Sequence, residues 1–182
     1  MDEERTSRSR KRFPLAMQQW SRFVGTITPQ LGELLTVGLL NEAGVEVEYV
    51  GGRRDVDLQC ELEGRQFTVE VKTGWWHDDR TVIAHSPLRP TQVGELVAIV
   101  GRFSVEAGSP TLLEIGPHEL VVDPDVFFYL IPAPALRSAS VVDGRSVGRA
   151  LLQERHARAY EVHVAAGLER GQLLAALAAA GS

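Results

Sequence analysis

Hydrophobic and polar positions alternate most cleanly between residues 56 and 72. Val56, Leu58, Cys60 and Leu62 fall on one side of an extended chain, and Asp57, Gln59 and Glu61 on the other. Phe67, Val69 and Val71 repeat the pattern against Gln66, Thr68, Glu70 and Lys72. Glu63-Gly64 suits a two-residue turn, so the stretch reads as a β-hairpin. Upstream, Gln30 to Ala43 reads as a helix that Pro29 starts and Gly44 stops. Leu31, Leu34, Leu35, Val37, Leu39 and Leu40 lie on nearly all its sides, which predicts a buried helix. Val45 to Val50 reads as a strand broken by Gly51-Gly52.

Downstream, Trp75 to Asp79 reads as a solvated loop carrying two large rings, and Thr81 to Ala84 as a short strand. Thr91 to Val105 reads as a helix, and Thr111 to Ile115 and Val126 to Ile131 as strands. The second of these is a continuous apolar run of the kind buried on both faces. Pro132, Pro134 and the stretch Ser138 to Gly144 read as loop, Tyr160 to Val164 as a late strand, and Leu168 to Ala180 as a closing helix. This order predicts a mixed α/β fold, a central mixed β-sheet flanked by helices. Residues 1–14 read as a flexible basic arm, 15–135 as the α/β core and 136–182 as a C-terminal extension packed on it, which could also meet a protein partner.

The hairpin register carries the chemistry. A turn at Glu63-Gly64 sets Cys60 opposite Phe67, Leu58 opposite Val69 and Val56 opposite Val71, each pair apolar. On the other face Asp57 falls opposite Glu70, with Cβ atoms roughly 5 Å apart. Facing carboxylates repel, and something positive between them relieves the repulsion. Two or three carboxylate oxygens plus water are what Mg²⁺ prefers, and Mn²⁺ could substitute. Lys72 shares the face of Glu70, and Glu33 on the preceding helix could supply a third carboxylate. Such a set suits metal-assisted phosphodiester hydrolysis, in which the lysine orients or activates water and stabilises developing charge. A surface ion pair between Lys72 and a neighbouring acid is the simpler alternative.

Composition narrows the classes. A chain of 182 residues can bury a core without staples. No apolar run reaches the roughly 18 residues of a membrane helix, and the charged start lacks an apolar signal core, so a cytoplasmic protein without membrane contact is expected. A single cysteine, Cys60, excludes an intramolecular disulfide and a multi-cysteine zinc site. The net charge of −5 is not that of a protein that coats nucleic acid, yet it allows a local basic cleft. Of 19 basic residues only Lys11 and Lys72 are lysines. Arginine holds its proton too firmly to act as a base, which is a physical reason for lysine at position 72.

Gly32-Glu33, Gly44 eleven residues later, Arg53-Arg54-Asp55-Val56-Asp57-Leu58 and Val69-Glu70-Val71-Lys72 form one pattern. It resembles the PD-(D/E)xK nuclease superfamily, with its restriction-endonuclease-like core. Within that superfamily the layout is similar to archaeal-type Holliday junction resolvases, including the thirteen positions from Asp57 to Glu70. The resemblance covers residues 25–75 well and 90–132 loosely; Val56 stands where many members have proline. It implies Asp57 and Glu70 as metal ligands with the carbonyl of Val71, Lys72 as the catalytic lysine and Glu33 as an accessory acid. It also implies a homodimer acting on DNA, here an endonuclease of repair, recombination or defence that could select branched DNA. A second reading is a nuclease-fold module that binds DNA or protein without cleaving, as a subunit of a larger complex.

Four further residues are candidates for nucleic-acid contact. Arg53 and Arg54 could grip phosphate or pair with Asp55, Glu46 or Glu48. Trp75 and Trp76 could stack on an unpaired base or pack in a core or dimer interface. His77, Asp78 and Asp79 are consecutive and read as solvated loop rather than metal cluster, because consecutive residues rarely converge on one ion.

Overall fold

A computed structural model describes residues 11–14, 29–51, 56–76, 81–89, 91–92, 94–102, 113–115, 119–122, 126–142 and 149–181. In chain order the elements are β1 (Lys11–Pro14), α1 (Pro29–Glu42), β2 (Glu46–Tyr49), β3 (Leu58–Leu62), β4 (Arg65–Trp76), β5 (Val82–His85) and β6 (Leu96–Arg102). Then come β7 (Leu113–Ile115), β8 (Glu119–Val122), β9 (Val126–Pro132), α2 (Ala133–Ala139), β10 (Ser140–Val142) and β11 (Ala150–Gln153). Last are α3 (Glu154–Ala157), a 3₁₀ turn (Arg158–Tyr160) and α4 (Arg170–Ala180). The fold is mixed α/β, as the pattern predicts: an eight-stranded sheet flanked by helices, with a small antiparallel sheet β1-β8-β7 beside it. Among the described residues no helix is long and apolar enough to cross a membrane.

The hairpin forms in the predicted register. Leu58 faces Val69, Cys60 faces Phe67 and Leu62 faces Arg65. Glu63 and Gly64 both have positive φ, the turn whose twist matches paired strands. β2 adds antiparallel to β3.

β4 organises the large sheet. Its first half pairs with β3, and its end pairs with β5 on the same edge, from Gly74 opposite His85 to Trp76 opposite Ile83. Along its other edge runs β6, parallel, and beyond β6 lies β9, antiparallel. One core joins Phe67, Val69, Leu96, Ala98 and Phe128 to the leucines of α1 and to Leu173 and Leu177 of α4. The other joins Trp76, Val97, Ile99, Phe127, Tyr129 and Leu136 on the opposite face. β4 and β6 meet at two glycines: a Cβ on Gly101 would run into the carbonyl oxygen of Gly74 and the ring of Phe127.

Several elements differ from the sequence expectation. The region expected as a helix over Thr91 to Val105 holds strand β6. Its run Leu96 to Val100 is covered on both faces, so it shows no two-residue alternation to set it apart from a buried helix. Trp75 and Trp76 extend β4 rather than forming a loop. Pro132 and Pro134 open helix α2, because proline fits a first helical turn, and the following stretch enters strand β10. Tyr160 to Val164 contributes only an isolated bridge, Glu161 to Tyr129. Lys11 to Pro14, expected as the end of a flexible arm, is strand β1 paired with β8.

Candidate active site

The two strands that share one edge of β4 do not meet. The β3 ladder ends at Leu58 opposite Val69, and the β5 ladder begins at Gly74 opposite His85. Among the described residues, 70–72 therefore line a gap in the sheet, and Glu70 and Lys72 belong to it. Asp57 stands at the mouth, one residue before β3, and its Oδ2 accepts the backbone N–H of Val71 at 2.8 Å. A side chain thus takes the donor that a further rung of the hairpin would have used. By the alternation of a β-strand, the carbonyl of Val71 points into the same gap.

Glu70 is buried, and its Oε1 accepts Nζ of Lys72 at 2.6 Å. The Lys72 side chain is itself only 11% exposed, so the pair is largely withdrawn from water. α1 lies against this part of the sheet, with Gly32 against Val71 and Val100, and it delivers the neighbouring Glu33 in buried form. The hydroxyl of Tyr49 at the end of β2 hydrogen-bonds Glu33. The structure thus brings Glu33, Asp57, Glu70, Val71 and Lys72 to one place.

The sequence did not reveal Gln92. Its Nε2 donates to Oε1 of Glu70, while its Oε1 accepts Nζ of Lys72 at 3.1 Å and the N–H of Arg89 at 2.7 Å. Nη2 of Arg137 in α2 donates to its carbonyl at 2.6 Å. Gln92 therefore clamps acid and ammonium together from a loop anchored to the next helix. A lone glutamine ahead of an apolar run carries no spacing signal that would have marked it.

The acids are held against their tendency to ionise. Burial, then the charge of Asp57, pushes Glu33 up to about 7; Glu70 adds to the rise and the Tyr49 hydroxyl opposes it. Burial also raises Asp57 and Glu70, against the Val71 N–H in the first case and the Lys72 hydrogen bond in the second. Among the described residues, Oε2 of Glu33 and Oε2 of Glu70 are buried without a hydrogen-bond partner. Buried carboxylate oxygens are expensive to leave unmatched.

A hard divalent cation fits these donors. Among the described residues no three His, Cys, Asp or Glu side chains close on one point as a protein-only metal cage. Mg²⁺ does not need one: it is held by one or two carboxylates and keeps several waters. Asp57 and Oε2 of Glu70, with the carbonyl of Val71, could supply such a set.

The remaining candidates separate. Trp75 is half-buried, with the guanidinium of the exposed Arg149 at 4.9 Å from its ring centroid. Trp76 is buried edge-on to Phe127, so it offers no ring face for a nucleic acid. Arg53, Arg54, His77, Asp78 and Asp79 lie outside the described residues. The face that carries Glu70 continues outward into an open groove of about 460 Å³ lined by Glu46, Glu48, Glu61 and Glu95, among others. That end repels phosphate.

No family model matches the chain, and no curated protein matches it. Among solved structures the chain is similar to a bacterial homing endonuclease, I-Ssp6803I, at 16% sequence identity, over 84% of this chain and 91% of that one, with a TM-score of 0.48. A likeness this loose transfers no residue roles.

Proposed function

We propose that the chain is a divalent-metal-dependent DNA endonuclease of PD-(D/E)xK type. The observation that carries this reading is the pair of unmatched buried oxygens, on Glu33 and Glu70, beside Asp57 and Lys72. Three mutually repelling acids whose pKa values burial raises, with one ammonium beside Asp57 and Glu70, make a poor structural salt bridge and a good seat for a cation on a phosphodiester.

Asp57 and Glu70 would hold Mg²⁺ or Mn²⁺ with the Val71 carbonyl. The bound ion supplies charge neutralisation on the phosphate and a more acidic water. Lys72 has three N–H donors, and Glu70 and Gln92 engage two of them. The third is available to a phosphate oxygen, where it stabilises the charge gained as the new bond forms. Glu33, with its pKa near 7, takes the proton of the attacking water at Oε2 close to neutral pH. The water oxygen bonds to phosphorus, the bond from phosphorus to one sugar oxygen breaks, and that oxygen takes up, through solvent water, the proton that Glu33 received. One new end carries phosphate and the other a hydroxyl. A homodimer would set two such gaps against the two strands of a duplex.

The test is cleavage of supercoiled plasmid, linear duplex, single strand and a four-way junction with Mg²⁺ or Mn²⁺, alongside Lys72→Ala and EDTA. Cutting by wild type that both controls abolish is the expected result, and the preferred substrate decides whether branched DNA is selected. No cutting of any substrate at high protein concentration overturns the reading.

A further inference from the structure

Resting on that reading, we infer that the exposed arginines Arg89 and Arg137 form a phosphate grip beside the site, holding the DNA phosphodiesters that flank the one engaged by Lys72. Both converge on Gln92. Nη2 of Arg137 donates to its carbonyl at 2.6 Å, and the backbone N–H of Arg89 donates to its Oε1 at 2.7 Å. The same Oε1 accepts Nζ of Lys72 at 3.1 Å. A single glutamine therefore spans the distance from the Arg137 guanidinium to the Lys72 ammonium. The charge of Arg89 is felt at Glu70, where it favours the ionised carboxylate.

Three features make this a grip rather than scattered surface charge. Its platform is fixed: the N–H of Gln92 closes on the carbonyl of Arg89 at 3.0 Å, and the N–H of Ala133, at the start of α2, donates to the carbonyl of Glu95 at 2.9 Å. Leu136, next to Arg137, is buried in the core, which holds α2 with the arginine outward. Its donors match the ligand: a guanidinium carries five N–H donors in a planar fork suited to phosphate, and the Gln92 carbonyl engages one of those on Arg137. The surrounding field points the same way. The open groove lined by Glu46, Glu48 and Glu61 repels phosphate, and Arg65 beside it is paired with Glu95 at 3.7 Å. A strand leaving the gap is pushed off the groove and drawn to the arginines, so a chain of net charge −5 can still hold DNA. Such phosphate contacts set the register of the strand without reading its sequence.

The test is duplex binding by the full-length chain, followed by fluorescence anisotropy in Ca²⁺ over a salt series. Arg89→Ala and Arg137→Ala are each expected to weaken binding about 3- to 10-fold and to reduce the slope of log affinity against log salt by about 1, alike for duplexes of different sequence. Arg137→Lys keeps the charge and is expected to keep the slope. Arg170→Ala removes an arginine paired with Glu63 at the hairpin turn, and is expected to bind as wild type does. Arg89→Ala leaves the backbone bond to Gln92 in place, so it decides the matter if Arg137→Ala fails to fold. Either alanine variant, folded and binding with wild-type affinity and slope, overturns the inference, and so does an equal loss in Arg170→Ala or a lost slope in Arg137→Lys. Cleavage by wild type in Mg²⁺ would then leave the nuclease reading standing. Failure of wild type to bind the duplex overturns the inference too. The expected losses in a chain that cleaves nothing sink the nuclease reading and leave the phosphate grip in place.

Discussion

The backbone N–H of Val71 ends on the carboxylate of Asp57, 2.8 Å away, across the point where strand β3 leaves β4. One bond thus ties the mouth of the site to its floor. It also links the charge of Asp57 to the backbone whose carbonyl faces the gap.

Asp57→Asn should separate these roles. The amide oxygen can still accept the Val71 N–H, so the hairpin stays closed. The negative charge beside Glu33 and Glu70 is gone, which relieves repulsion. The variant is expected to melt at or above the wild-type temperature in EDTA and to lose the stabilisation that Mg²⁺ gives wild type. Cleavage should fall at least about 100-fold. Paired melts with and without Mg²⁺ check the first point, and single-turnover cleavage the second.

Glu33 gives a signed pH dependence. Its pKa rises from 4.5 to about 7 on folding, so the folded chain holds its proton more tightly. The stability linked to that proton is full below pH 4.5 and is lost as pH rises through 7. The loss is on the order of 3 kcal/mol in the absence of divalent ions. Glu33→Gln has no such proton to lose. The stability difference between Glu33→Gln and wild type, from urea titrations in EDTA, should therefore grow in favour of the variant from pH 5 to pH 8. A flat difference contradicts the assignment.

Gln92→Leu keeps the volume but removes the clamp on Lys72 and Glu70. One acceptor of the ammonium and one donor to the acid disappear together. Cleavage should drop about tenfold or more through kcat, with a stability cost of about 1–3 kcal/mol for the buried groups left unmatched. Gln92→Glu restores the acceptor but adds a fourth carboxylate, and should depend more steeply on Mg²⁺ concentration than wild type.

Gly101→Ala tests the seam between β4 and β6. The new methyl would meet a backbone carbonyl and an aromatic ring that have no room to give. A loss of about 3 kcal/mol or more is expected, read by denaturant unfolding.

The candidate catalytic side chains were legible in the sequence because they ride on a hairpin whose other face is buried. Burial of Leu58, Cys60, Phe67 and Val69 fixes the register, and the register then fixes where Asp57, Glu70 and Lys72 fall. Glu33 was legible because a carboxylate on an apolar helix needs an explanation. Strand β6 was not, because burial on both faces of the sheet erases alternation. Gln92 acts only because its loop returns to β4, and the gap exists only because β5 comes back to the edge that β3 abandoned. Both are products of long-range pairing. Trp76 shows the same limit: beside Trp75 in sequence, it points into the core while its neighbour meets Arg149.

Because β3 and β5 dock on one edge of β4, the stretch between their ladders acts as a ruler. Dropping Val71 would shorten the distance between the two ladders by one residue. It would also make Glu70 and Lys72 adjacent and so turn Lys72 to the opposite side of the sheet from Glu70. Substitutions along this stretch can be absorbed one at a time, but changes in its length cannot.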